Sequence, residues 1–264
     1  MLSKTLGAPS KDPNFIVLGR QAFSCGHSNT VGVRPTMEDT AVVVGDFAGP
    51  NTSYYGLFDG HGGVDCALYC ANNFHRIFAS RFHITANVET VIKDTILELN
   101  NVAVKRWPSQ GCTLAVVLVI KDIIYTANLG DTRIILVNGE QTTRLSYDHK
   151  ATDQEEADKI SKIGGAVFGG RVLGVLAITR AIGDGELNGY LIREPTMNRL
   201  KRKDGMQIIV ACDGVWDVMT DEEAARIVKT SNNTAEAARK IKDTAVSRST
   251  LDNVSVLVIN LNYK

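Results

Sequence analysis

Residues 112–137 read CTLAVVLVIKDIIYTANLGDTRIILV. Three apolar runs follow one another here with only short breaks. Residues 112–120 stop at Lys121-Asp122, residues 123–129 stop at Gly130-Asp131, and residues 132–137 complete the set. Apolar runs of this length, closed by turn residues, read as strands. A meander of strands favours antiparallel pairing.

The same reading extends outward. Residues 40–47 and 53–59 read as strands joined by a turn at Ala48-Gly49-Pro50-Asn51. Residues 62–80 carry Val64, Ala67, Leu68, Ala71, Phe74 and Phe78 at helical spacing, and residues 88–106 repeat that spacing with Val88, Val91, Ile92, Leu99 and Val102. A charged helix is expected over 153–163, ended by Gly164-Gly165. Residues 207–212 and 254–260 read as strands, and 221–229 and 234–246 as helices capped by Thr220 and Asn233. Residues 1–14, with two prolines, read as a peripheral arm, and 185–205 as a polar stretch with strand-like islands. Strands and helices are segregated rather than alternating, so the expected class is α+β: antiparallel sheets with helices packed outside.

The 264 residues suit one large domain, taken here as 1–264. Formal net charge is zero, which removes any bulk attraction to nucleic acid or an anionic membrane. The longest apolar runs fall far short of a bilayer, and the N-terminal residues lack a signal-peptide core. Five cysteines without framework spacing argue for free thiols in a reducing compartment, so cytoplasm or nucleus is expected. Cys112 and Cys212, inside apolar runs, read as small buried hydrophobes.

The chemistry starts where strands end. In Leu57-Phe58-Asp59-Gly60-His61-Gly62-Gly63 a carboxylate closes an apolar run and an imidazole stands two residues on. Val210-Ala211-Cys212-Asp213-Gly214 repeats the first part, and Asp252 directly precedes the last strand. Glu38, Asp39, Asp131 and Asp217 complete the acidic set. Taken singly, each reads as a turn or cap residue. Together, carboxylates far apart in sequence at strand ends point to a shared centre for hard cations, and oxygen-only ligands select Mg²⁺ or Mn²⁺ over Zn²⁺. His61 can handle protons near neutrality. Arg34, read alone, is a surface ion pair; its other reading is a guanidinium that holds two phosphate oxygens.

These segments, with Arg34-Pro35-Thr36-Met37-Glu38-Asp39, Gly111-Cys112-Thr113, Ala127-Asn128-Leu129-Gly130-Asp131-Thr132-Arg133, Asp148-His149-Lys150, Ala177-Ile178-Thr179-Arg180-Ala181-Ile182-Gly183-Asp184, Ala211-Cys212-Asp213-Gly214-Val215-Trp216-Asp217-Val218-Met219 and Asp252-Asn253-Val254-Ser255, stand in one order from about residue 20 to the end. The chain resembles the metal-dependent protein serine/threonine phosphatases of type 2C (PPM). The resemblance implies two antiparallel sheets packed as a central sandwich, flanked by pairs of helices. It implies that Asp59 bridges two cations, Glu38 and the carbonyl of Gly60 serving one and Asp213 and Asp252 the other. Asp39 would orient a coordinated water, and Asp131 and Asp217 would help hold a weaker third ion. Arg34 would grip the phosphate and His61 would protonate the leaving oxygen. Phosphorylated proteins are the implied partners, with a monomer expected. Cys112 and Thr179 stand where serine is common, and the family's variable flap is expected as the short stretch 185–205.

Two other functions are weighed against this one. An inactive, partner-binding relative should have lost ligands, whereas Asp59, Asp213 and Asp252 are all present. A small phosphate-ester hydrolase could use the same centre. Three features read as decoys. Cys70 and Arg76 have the bare spacing of a cysteine-dependent phosphatase but sit mid-helix without a glycine loop. Gly164 to Gly170 lacks nucleotide-loop spacing, and Arg199-Leu200-Lys201-Arg202-Lys203 reads as a solvated loop.

Overall fold

Successive side chains of Leu114–Ile120 point to opposite faces of one sheet, and both faces are covered. Leu114, Val116, Leu118 and Ile120 pack against helices; Ala115, Val117 and Val119 pack against a second sheet. This double burial is why the run has no polar alternation.

The computed structural model describes residues 12–82 and 87–263. In chain order its strands are β1 (Phe15–Leu18), β2 (Phe23–Thr30), β3 (Thr40–Gly45), β4 (Thr52–Phe58), β5 (Gly60–His61), β6 (Gly111–Cys112), β7 (Leu114–Ile120), β8 (Ile123–Leu129), β9 (Arg133–Asn138), β10 (Gln141–Arg144), β11 (Val167–Phe168), β12 (Arg171–Val172), β13 (Ile182–Gly183), β14 (Thr196–Lys201), β15 (Met206–Ala211) and β16 (Val254–Tyr263). The helices are α1 (Asp65–Arg81), α2 (Val88–Arg106), α3 (Gln154–Lys162), α4 (Asp213–Trp216), α5 (Asp221–Lys229) and α6 (Thr234–Ser247).

One sheet runs β1-β3-β4-β7-β8-β14 and the other β10-β9-β15-β16-β2. Their facing sides share a core that includes Val43, Tyr55, Leu57 and Val117 from the first and Ile134, Leu136, Ile208, Val210 and Leu257 from the second. Helices α1 and α2 cover the outer face of the first sheet through Phe74, Phe78, Ile92, Ile96 and Leu99. Helices α4 to α6 cover the outer face of the second, against Ile209, Val256 and Val258. The result is the expected sandwich with helices outside. Thr220 and Asn233 cap α5 and α6, Thr220 in a reciprocal capping box with Glu223.

Two expectations need correction. Pairing is antiparallel in both main sheets except at one edge, where β1 runs parallel to β3. A parallel pair needs a crossover, and the chain makes it through β2 in the opposite sheet. The stretch 185–205 is also not a free flap, because Thr196–Lys201 pairs along its whole length with β8 as a sheet edge. The layer beside the site is formed by the preceding segment, with α3 and the β11–β12 hairpin. A bidentate ion pair pins that layer: Arg180 Nε and Nη2 donate to Glu156 Oε2 and Oε1 at 2.8 and 2.6 Å, with Glu156 fully buried. Of the expected arm, residues 1–11 lie outside the described residues, and Asn14 already meets the sheet through its carbonyl, which accepts from Ala41 N at 2.8 Å.

Candidate metal centre

The strands end at a cavity of about 300 Å³ whose walls include Arg34, Glu38, Asp59, Gly60, His61, Asp131, Asp213 and Asp252. The four aspartates arrive from different pieces of the sandwich. Asp59 follows β4, Asp131 follows β8, Asp213 opens α4 just after β15, and Asp252 precedes β16. Antiparallel neighbours and facing sheets bring together carboxylates as distant in sequence as Glu38 and Asp252.

Local contacts hold the rim. Asn253 donates from Nδ2 to Val31 O and Thr36 O at 2.9 and 3.0 Å, and its Oδ1 accepts from Glu38 N at 2.9 Å. It thus ties the loop bearing Arg34 and Glu38 to the start of β16. Glu38 also accepts from Gly63 N at 3.2 Å. A side chain at residue 60 would put its Cβ 2.5 Å from the Glu38 carbonyl, so this close approach requires Gly60. Arg34 reaches across the rim, with Nη2 2.6 Å from Asp252 Oδ2 and Nε donating to Leu251 O at 3.0 Å.

Asp39 lies beneath the cavity and is 1% exposed. Both of its carboxylate oxygens are buried, with Ser255, Cys212 and Asp59 as side-chain neighbours and no cation among them. Ligand atoms of Asp39, Asp59 and Cys212 lie within 4.8 Å of one another. Burial, followed by the charges of Asp39, Asp213, Asp131 and Asp252, pushes the Asp59 carboxyl well above the usual range. Asp213 is pushed up to about 8 by burial and then by Asp131 and Asp252. Asp39 is pushed up to about 6, chiefly by burial. Such mutual repulsion is relieved by a cation among the oxygens. The buried Asp39 oxygens, which face no side-chain cation, and the oxygen-only donor set fit hard divalent ions.

Asp217 is placed differently from the other predicted ligands. It lies outside the cavity wall with its side chain 58% exposed. Lys150 joins it to Asp131, with Nζ 3.0 Å from Asp217 Oδ1 and 3.7 Å from Asp131 Oδ2. An ammonium therefore stands between the two carboxylates expected to bind a third ion.

His61 lines the cavity with Nε2 2.8 Å from Asp184 Oδ1. Burial opposes its positive charge, but the hydrogen bond and charge of Asp184 outweigh it, so the imidazole pKa is raised. Asp184 adopts a left-handed backbone with φ 52°. The pair sits over Gly111, where any Cβ would lie 2.1 Å from Asp184 Oδ2 and 2.5 Å from His61 Nε2. Asp184 and Asn253 were legible only as motif members, and Lys150 likewise. The Gly183-Asp184 turn was the available signal for the first.

Two of the decoys resolve as expected, while the basic stretch, expected as a solvated loop, is mostly strand. Cys70 is fully buried within α1. Gly169 and Gly170 turn the β11–β12 hairpin. The basic stretch lies largely on β14, and Arg202 is paired with Asp122 and Asp204.

Comparison with known proteins agrees with this geometry. Residues 23–254 match the family model described as Protein phosphatase 2C. The chain is 34% identical over 241 residues to Protein phosphatase 2C homolog 1 of Schizosaccharomyces pombe, covering 86% of this chain and 70% of that one. It is 32% identical over 250 residues to Protein phosphatase 2C homolog 1 of Saccharomyces cerevisiae, covering 86% and 89%. Among solved structures, a phosphatase from Toxoplasma gondii superposes with TM-score 0.82 at 22% identity over 92% of this chain and 94% of that one. A Caenorhabditis elegans sex-determining protein gives 0.82 at 24% identity over 92% and 66%. At these identities the two structures speak to the fold alone. The family match and the two yeast relatives go further: this chain belongs to the protein phosphatase 2C family, whose members are metal-dependent protein serine/threonine phosphatases.

Proposed function

We propose that this chain hydrolyses phosphoserine and phosphothreonine in proteins with two divalent cations, Mg²⁺ or Mn²⁺, held by Glu38, Asp59, the Gly60 carbonyl, Asp213 and Asp252. The observation that carries this reading is the buried carboxylate set, in which Asp39 and Asp59 lack a compensating side-chain cation. When bound, such ions lower the pKa of coordinated water and offset charge on phosphoryl oxygens.

The protein's own residues supply the rest. Asp39, beneath the cavity, offers an acceptor that orients water above it. Arg34 is more than half exposed at the rim and can turn its guanidinium from Asp252 to two phosphoryl oxygens. A serine or threonine alkoxide leaves poorly, so a proton must reach the departing oxygen. Asp184 holds His61 at Nε2 and favours the charged ring, which leaves the Nδ1 proton as the one to transfer. No side chain need become phosphorylated, and Cys70 is too deeply buried to serve as a nucleophile.

Asp131 and Asp217 form a weaker third cation position, which Lys150 occupies in competition. The same reading takes the chain as a monomer acting on phosphoproteins in a reducing compartment, cytoplasm or nucleus, in keeping with the free thiols of Cys66, Cys70, Cys112 and Cys212. Among the described residues, no helix is long and apolar enough to cross a membrane. The substrate class is tested by comparing kcat/KM for a phosphothreonine peptide with that for glycerol phosphate and an aryl phosphate. The reading expects the peptide to be preferred over glycerol phosphate by at least about tenfold. Equal or reversed preference would assign the centre to small esters.

A further inference from the structure

Three cysteines outside the carboxylate centre converge behind it. Cys66 and Cys70 lie one turn apart on α1, and Cys112 comes from β6. Their sulfurs all lie within 4.8 Å of one another, and Cys66 Sγ is 3.9 Å from Cys112 Sγ. All three residues are fully buried. Two thiolates on one tetrahedral ion, each about 2.3 Å from it, stand about 3.8 Å apart. The observed spacing is therefore close to that of ligands on a common ion.

The surroundings also suit a thiolate cluster. Cys66 sits in the first turn of α1, where helix amides favour negative charge. Hydrogen bonds from Cys112 and Cys70 pull its thiol down to about 5, whereas burial holds Cys70 and Cys112 well up. Arg193 provides a positive charge nearby. Its Nη2 donates to Gly183 O at 2.8 Å and its Nε is buried without a partner. Burial lowers the Arg193 pKa to about 10, while the charges of Asp184, Cys66 and Cys112 oppose that effect. The Ile182 carbonyl, 3.7 Å from Cys66 Sγ, can serve as a fourth donor.

We propose that Cys66, Cys70 and Cys112 form a sulfur-lined site for one thiophilic d¹⁰ cation of the Zn²⁺ class, separate from the carboxylate centre. Soft thiolates select such ions as firmly as the carboxylates select hard ones. Binding converts one thiolate and two thiols into three thiolates on the ion, with two protons released to solvent. The consequence is structural. Cys112 pairs with Gly60 on β5 and with Ile182 on β13, so the ion would clamp α1 to the small sheet that carries Gly60 and His61.

The test is a Cd²⁺ titration of the full, reduced chain, stripped of metal and then saturated with Mg²⁺ to occupy the carboxylates. The expected result is an ultraviolet thiolate-to-metal charge-transfer band that saturates at one Cd²⁺ per chain and is displaced by Zn²⁺. The band should be lost in Cys112→Ser and Cys70→Ser and retained in Cys25→Ala and Cys212→Ala. Circular dichroism checks each fold. Under the same conditions, Zn²⁺ at about 100 times its Kd should raise the wild-type unfolding midpoint by about 5 °C. The absence of a band in the wild type would overturn the proposal. So would a band that survives Cys112→Ser but disappears in Cys212→Ala, since that places the ion among the carboxylates.

Discussion

His61 and Asp184, 123 positions apart in sequence, meet at 2.8 Å across Gly111. The contact favours the charged imidazole that an acid needs, because Asp184 raises its pKa against the opposing effect of burial. Activity that depends on the charged ring falls as pH rises through that pKa. Asp184→Asn should therefore move the alkaline limb of kcat to lower pH. His61→Gln should reduce turnover of an alkyl phosphate by about 10²–10⁴-fold and of an aryl phosphate far less. Equal losses on both esters would remove His61 from the acid role.

Repulsion among Asp39, Asp59 and Asp213 predicts how the metal-free chain responds to pH. A carboxyl whose folded pKa is raised binds more protons folded than unfolded, so stability falls as pH rises between the two values. Asp39 at about 6 and Asp213 at about 8 set a window from about pH 4 to pH 8. In EDTA the unfolding midpoint should drop by roughly 5 °C or more between pH 5.5 and 8. Saturating Mn²⁺ should flatten or reverse that slope, because protons and cations compete for the same oxygens. Identical slopes with and without Mn²⁺ would show that no cation binds among these carboxylates.

Lys150 stands between Asp131 and Asp217. Removing its charge in Lys150→Gln should tighten Mn²⁺ binding at that pair by about tenfold, since one nearby unit charge is lost. Titration followed by electron paramagnetic resonance would resolve this weaker class of ion. Unchanged affinity would mean the two carboxylates do not share a cation.

Glu156 neutralises Arg180 inside the layer that carries Ala177 and Ile178 to the cavity wall. Glu156→Ala leaves a buried guanidinium without its partner and should cost about 3–5 kcal/mol in urea unfolding. Glu156→Gln, which can still accept a hydrogen bond, should cost less. A loss below about 1 kcal/mol in the alanine variant would show that the layer is held by other contacts.

Much of this architecture was legible because strongly apolar elements leave a periodic trace. Helix α2 was expected over 88–106 and is found at Val88–Arg106. Strand β8 was expected over 123–129 and is found at Ile123–Leu129. Strand β2 was missed because FSCGHSNT is polar and only partly buried at a sheet edge. Strand β1 escaped because its parallel partner is not a chain neighbour. Strand β14 read as a polar stretch because, also at an edge, it exposes Asn198, Arg199 and Lys201. The carboxylates stood out at strand ends, but Asp184 did not, because its role exists only through contact with His61. Likewise, the pairing of Lys150 with Asp131 and Asp217 depends on side-chain positions that spacing does not encode.

The central claim is that the carboxylate centre makes hydrolysis of protein phosphothreonine depend on divalent metal. The direct measurement is phosphate release from a phosphothreonine peptide in Mn²⁺, Mg²⁺ or EDTA, for the wild type and Asp213→Asn. Turnover is expected with metal, none in EDTA, and a loss of about 10²-fold or more in the variant. Turnover that persists in EDTA, or an Asp213→Asn enzyme as active as the wild type, would contradict it.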